Sequence, residues 1–268
     1  MVRRPAVAGY YYPAEPVTLR EALDAFTRTE ALPRSAFAVV VPHGSYRHSG
    51  TIAGQTLARV VIPRRCIVLG PSHTGSVMPW SLMGRGAYRT PLGEVPIDER
   101  CAEALHARCP FLSSDAWAQR GEHAVEVILP FLQRLGPADL TVVPIVMGAH
   151  DPDEFAQVAC ALAQVIRLQE EPVLLIASSD LSHYEARTRV ATQDRTLLEA
   201  ICRIDASALL RLVETHSLLM CGCGVVACVL DAVKALGARR GTLIRYGTSA
   251  DAGGDPHSAI GYAGVVIE

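Results

Sequence analysis

The stretch "PVLLIASSDLSHY" (residues 172–184) begins like a strand of a protein core and ends on a carboxylate and an imidazole. Val173 to Ala177 are apolar without alternation, so both faces of this strand are expected to be covered. "AFAVVV" (36–41), "CIVLG" (66–70) and "LTVVPIVMG" (140–148) read the same way. Between them, residues 124–135, 152–166 and 195–204 carry the i, i+3, i+4 apolar spacing of amphipathic helices. Residues 224–236 are apolar nearly all round and are expected to form a central helix, while "AIGYAGVVIE" (259–268) reads as a last strand. The alternation predicts an α/β fold: a single layered domain over residues 1–268, with a central, mostly parallel or mixed sheet flanked by helices. Neither a linker nor a repeat of fixed period interrupts it.

Composition narrows the function classes. The chain has 268 residues, half of them hydrophobic, enough for a large core. Charged residues are 19% and the net charge is −2, with no long basic stripe, so nucleic acid is not expected as the main partner. The pairs Arg64-Arg65 and Arg239-Arg240 read as solvated loop ends. "MVRRPAVAGYYYPAEP" has arginines but no apolar region behind them, unlike a signal peptide. Apolar runs stay short of the ~18 residues that a membrane span needs. The eight cysteines do not suggest a disulfide framework, and Cys66, Cys160, Cys202 and Cys228 sit in patterns of small buried hydrophobes. A reducing cytoplasm is the expected setting.

In open α/β sheets, ligands gather beyond the carboxyl ends of strands. Three strands end in histidine there: Pro42-His43-Gly44, Pro71-Ser72-His73 and Ser179-Asp180-Leu181-Ser182-His183. One such histidine is ordinarily structural; three at equivalent ends predict a shared site. Pro42 and Pro71 keep the chain extended, and Gly44 and Gly75 are expected to permit sharp turns. Two neutral imidazoles and one anion make a minimal divalent-metal site. Asp180, Glu122 or a cysteine can supply the anion. In "HSLLMCGCGVV" (216–226), Cys221 precedes the central helix, whose N-terminus is expected to depress the thiol pKa. The Cys221/Cys223 pair is open to a redox or separate metal role.

Asp180 and His183 are expected to touch across a tight turn, with Asp180 fixing a histidine tautomer and His183 acting as acid or base. Alternatively, Asp180 caps a following helix. "GEHAVEVILPFLQ" (121–133) is expected to open a helix on Glu122-His123, with His123 either in the site or simply buried. His48 is close enough to His43 to line the same pocket. His106, His150, His216 and His257 read as structural. The tyrosines of "GYYYP" (9–13) are either a pocket wall or packing.

These motifs resemble the Memo family, whose bacterial and archaeal members are called AmmeMemoRadiSam system protein B. The match runs through "RPAVAGYYYP" (4–13), "VPHGSYRHSG" (41–50), "VLGPSHTG" (68–75) and "YRTPLGEVPID" (88–98). It continues through "GEHAVEVILPFL" (121–132), "VPIVMG" (143–148), "SSDLSHY" (178–184), "CGCGVV" (221–226) and "GYAG" (261–264). The resemblance implies a fold similar to the class III extradiol dioxygenases, which hold non-haem iron(II) on two histidines and a carboxylate. It implies a metal triad of His43, His73 and Cys221, with thiolate replacing carboxylate. It also implies a pocket with Asp180, His183 in the acid–base position and His123 adjacent. Iron(II) is the implied cofactor, and the sulfur also suits copper or zinc. The family's usual Pro-His-Ala-Gly-Tyr reads Pro42-His43-Gly44-Ser45-Tyr46 here, and a Tyr is replaced by His48. Its Cys-Gly-x-x-Pro reads Cys221-Gly222-Cys223-Gly224-Val225, so His48 and Cys223 are two further potential ligands.

The implied function is a metal-dependent, dioxygenase-like oxidoreductase. The alternative is a non-catalytic adaptor that holds a peptide or small ligand in the same pocket; a zinc hydrolase is a third reading. The implied partners are an AMMECR-type protein and a radical S-adenosylmethionine enzyme.

Overall fold

The computed structural model describes residues 1–75, 79–115, 117–148 and 151–268. His150, read above as structural, lies outside the described residues. The chain runs β1 (Val2–Arg3), α1 (Pro16–Phe26), β2 (Ala38–Val41), α2 (Tyr46–Leu57), β3 (Arg65–Pro71), β4 (Trp80–Leu82), β5 (Ala87–Thr90) and β6 (Gly93–Pro96). Next come α3 (Glu99–Arg108), β7 (Ser113–Ser114), a 3-10 turn (Glu126–Ile128) leading into α4 (Leu129–Leu135), β8 (Thr141–Met147), α5 (Pro152–Arg167) and β9 (Val173–Ser178). The last part is β10 (His183–Glu185), α6 (Arg187–Cys202), α7 (Ala206–Thr215), α8 (Cys223–Leu236), β11 (Gly241–Thr248), a second 3-10 turn (Ser249–Ala252) and β12 (Ala259–Ile267).

Among the described residues, nine strands form one mixed sheet in the order β10-β12-β2-β9-β3-β8-β4-β7, with β11 paired to β12. Its centre, β2-β9-β3-β8, is parallel, and β12 and β4 flank that centre antiparallel. The central strands therefore have two covered faces, as their unalternating apolar sequences require. Ala38, Val40, Ile67, Leu69, Leu175 and Ala177 face one core cluster, shared with residues of α5 to α8. Val39, Val41, Cys66, Val68, Leu174 and Ile176 face the other, with residues of α1, α2 and α4. The result is an α/β architecture with helices on both sides. β1, β5 and β6 form a separate small sheet. No helix among the described residues is long and apolar enough to cross a membrane.

Two sequence expectations change. The helix read over 124–135 starts later, because residues 122–125 form a turn and the regular helix begins only at Leu129. The cause is local: the Glu122 carboxylate accepts from the backbone N–H groups of His123 (2.8 Å) and Ala124 (2.9 Å). The helix read over 195–204 is the second half of α6, whose first half carries no strong apolar pattern.

Candidate metal centre

Register brings three chain segments together. Val41 of β2 pairs with Ser178 of β9, and Leu69 of β3 pairs with Ala177 of β9. His43, Asp180 and His73 each lie two residues beyond the last residue of their strand, so they emerge side by side at one sheet edge.

His43 is 1% exposed. Its Nδ1 lies 2.9 Å from Ser178 Oγ, and that hydroxyl donates to the Ala124 carbonyl at 2.6 Å. A serine hydroxyl has one proton, so Ser178 must accept from His43 Nδ1–H. Nε2 is then the free nitrogen, and it faces Cys221 Sγ at 3.2 Å. Burial, followed by the neighbouring His73 and His123 rings, holds the His43 pKa well below the ordinary imidazole value. The ring is neutral and its lone pair is available.

His73 is also held through Nδ1, by a different partner. Its Nδ1 lies 2.9 Å from Glu122 Oε1, and its backbone N–H donates to Glu122 Oε2. Glu122 is 1% exposed. Burial alone would raise its pKa, but the bonds from the His73 ring and backbone and from Ala124 hold it at about 2. A carboxylate only accepts, so His73 Nδ1 carries the proton and Nε2 is free. His123 stacks beside this pair, with ring centroids 4.5 Å from His73 and 4.7 Å from Tyr11. Burial lowers its pKa, and Glu122 partly offsets that.

The Glu122 segment is itself pinned by a network that sequence reasoning missed. Arg3 and Glu126, both buried, form an ion pair in the core. The Arg3 guanidinium also donates to the Gln119 and Glu122 carbonyls. Glu126 accepts from the N–H groups of Ala6 (2.7 Å) and Val7 (3.0 Å) and from the Tyr12 hydroxyl (2.8 Å). Both readings of the tyrosines therefore hold: Tyr12 packs against Tyr46, while Tyr10 and Tyr11 line the chamber over the histidines.

Asp180 neither caps a helix nor bonds His183. Its Oδ1 accepts from the backbone N–H groups of His43 (2.9 Å) and Gly44 (3.3 Å), tying β9's end to β2's. Burial raises its pKa against the pull of those bonds. The His183 Nδ1 lies instead 2.7 Å from the Leu181 carbonyl and 2.9 Å from that of Leu219, so Nδ1–H is donated and Nε2 is free. Gly44 serves a close approach rather than a left-handed turn, since a Cβ there would lie 2.9 Å from the Tyr262 ring. Gly222 does the same for Cys221: a Cβ would meet that of Ser179 at 2.5 Å, so only glycine lets this loop lie on the end of β9.

The expected depression of the Cys221 thiol pKa is not found. Cys221 precedes the N-cap residue Gly222, outside the first turn of α8. Burial pushes the thiol up, and the Asp180 charge adds to it. Coordination would deprotonate such a thiol outright. Cys223 is buried in the core cluster, and His48 Nδ1 lies 3.0 Å from Ser45 Oγ at the chamber's rim. His106 Nδ1 bonds the Leu112 carbonyl at 2.8 Å, while His216 and His257 are exposed.

Three groups among the described residues could hold a metal ion: His43, His73 and Cys221; His73, Glu122 and His123; and Asp180, His183 and Cys221. Within each group the donor atoms lie within 4.8 Å of one another. The second is poorly suited, because the Glu122 carboxylate already accepts from four N–H groups. The first offers two imidazoles held through Nδ1 with Nε2 unengaged by a locking partner, and one sulfur, a donor set that suits iron, copper or zinc.

Residues 3–266 match the Memo-like protein family. The chain is 38% identical over 280 residues to a MEMO1 family protein of Methanopyrus kandleri, covering all of this chain and 99% of the relative. It is 35% identical over 268 residues to a MEMO1 family protein of Methanococcoides burtonii, covering both chains completely. A MEMO1 family protein of Aquifex aeolicus is 33% identical over 267 residues, 99% of each chain.

Proposed function

This chain belongs to the Memo family, and from that premise we propose that it is a metal-dependent oxidoreductase with a divalent metal on His43, His73 and Cys221. Ser178 and Glu122 carry this reading: each engages Nδ1 of one histidine, which leaves both Nε2 atoms as ligands. Iron(II) is the metal we favour, with copper and zinc compatible with the same donors. Such an ion, when bound, supplies the redox and Lewis-acid chemistry that the side chains lack.

The chain's own groups do the rest. His183, held through Nδ1 by two carbonyls, keeps Nε2 free to take or give a proton to a ligand in the chamber. Asp180 fixes the His43 backbone and lies 3.9 Å from its Nε2, where it favours any positive charge that develops on the ring. His123, between Tyr11 and His73, positions a ligand's flat or polar face. The proposal extends to a class III extradiol dioxygenase-like architecture and to action beside AMMECR-type and radical S-adenosylmethionine proteins, for which co-purification is the test.

Anaerobic reconstitution followed by iron, copper and zinc analysis tests the metal. One equivalent is expected in the wild type, and none in His43→Ala or Cys221→Ala. His183→Ala is expected to keep the metal and lose redox turnover. Absence of stoichiometric metal in the wild type would end this reading. Ligand binding that survives alanine at both His73 and Cys221 would instead favour an adaptor.

A further inference from the structure

The cluster opens into two cavities of different character. The chamber under Tyr10 and Tyr11 has a volume of about 400 Å³ and is walled by histidines, Asp180 and tyrosines. A second cavity of about 800 Å³ shares His73, His183 and Tyr184 with it and also includes Cys221. Beyond those residues its walls are mostly apolar, with Glu214 the charged exception: Met147 at the end of β8, Phe155 on α5, Leu210 and Val213 on α7, and Leu218 and Met220 before α8. The floor is built closely, since a Cβ on Gly224 would lie 2.6 Å from the Phe155 ring. Leu210, Val213 and Leu218 remain only half-buried. Tyr184 stands at the junction with φ 61°, a left-handed conformation that an aromatic residue rarely adopts and that marks functional sites more often than neutral surface.

We infer that the site takes an amphipathic small molecule, with a polar, metal-directed head at His73 and Cys221 and an apolar arm of several carbons between α5, α7 and the start of α8. The inference rests on the metal reading above and adds the class of ligand. A small molecule is favoured because apolar walls, interrupted by Ser72 and Glu214, adjoin the donor cluster, and both volumes lie in the range of ligand sites, roughly 300–1,000 Å³. A wholly polar ligand would leave the larger cavity wet against leucine, methionine and phenylalanine.

The test uses n-alkyl hydroxamates, from acetohydroxamate to octanohydroxamate, titrated into the metal-loaded full chain. Affinity is expected to rise about fourfold per methylene as each is buried. Val213→Asn and Leu218→Gln, both on half-buried positions, should flatten that slope. Leu243→Gln, on the distant β11, should leave it unchanged, and circular dichroism checks that all three fold. Acetohydroxamate binding with no gain along the series, or a gain indifferent to Val213 and Leu218, overturns the inference while the metal reading stands. A chain that takes up no metal and binds no hydroxamate removes both.

Discussion

The two halves of the donor cluster are held by different means. On the strand-edge side, His43 and His73 are each locked through Nδ1 by a side chain from another element, Ser178 and Glu122. Those partners are locked in turn, Ser178 by the Ala124 carbonyl and Glu122 by backbone N–H groups. On the other side, His183, the first residue of β10, leans on the carbonyls of Leu181 and Leu219, and Cys221 Sγ meets His43 Nε2 and the Asp180 carbonyl. The first half fixes tautomers and positions before any ligand arrives. The second presents the sulfur and an imidazole Nε2 from segments tied chiefly by backbone. Preorganisation by side chains is thus concentrated just beyond the ends of the central parallel strands.

The largest expected effect on that contrast comes from Arg3→Met. Removing one partner of a buried ion pair leaves Glu126 charged in the core and is expected to cost about 3–5 kcal/mol in urea unfolding. Arg3→Met combined with Glu126→Leu should recover only the part due to the unpaired charge, because the Ala6 and Val7 N–H groups and the Tyr12 hydroxyl then lose their acceptor. A loss below 1 kcal/mol would mean that the N-terminal segment does not anchor the Glu122 turn.

Glu122→Gln comes next. If His73 ligates as proposed, loss of the carboxylate behind it is expected to lower metal affinity about 10–100-fold. The metal-free protein gives a second readout. The folded-state pKa of Glu122 is about 2, against about 4.3 for an ordinary glutamate. A depressed carboxylate pKa stabilises the fold above the unfolded value, and that stability is lost as pH falls through the folded one. The stability gap between wild type and Glu122→Gln should therefore be full above about pH 4.5 and close towards pH 2; a gap independent of pH would show that Glu122 is not held as the anion.

Ser178→Ala should cost less, about 1 kcal/mol of stability and about tenfold in metal affinity, the lower end for an outer-shell partner. The smallest effect is expected for His48→Ala, which changes a rim residue outside all three metal-capable groups. Equal losses for Ser178→Ala and His48→Ala in metal titrations would erase the distinction between locking partners and rim.

Much of this was legible in the chain itself. The central strands announce two-sided burial through unbroken β-branched runs, and His43, His73 and Asp180 follow those runs at short range. β11 escaped notice because its residues are mostly half-exposed, and β4 and β7 because they are only three and two residues long. The helix start at Glu122-His123 misled because a carboxylate took the N–H groups that a helix would have used. The Cys221 thiol misled because proximity to a helix N-terminus counts for less than burial beside Asp180. Ser178 and Arg3 could not be found from local pattern at all. Their partners, His43 and Glu126, are 135 and 123 residues away in the chain, so only the folded sheet reveals them.

The central claim is that one ion touches His43, His73 and Cys221 together. X-ray absorption at the iron edge of the anaerobically reconstituted full chain tests it most directly. One sulfur and two imidazole nitrogens are predicted in the first shell, with the sulfur gone in Cys221→Ala. A first shell of oxygen and nitrogen only, the same with or without Cys221, would contradict it.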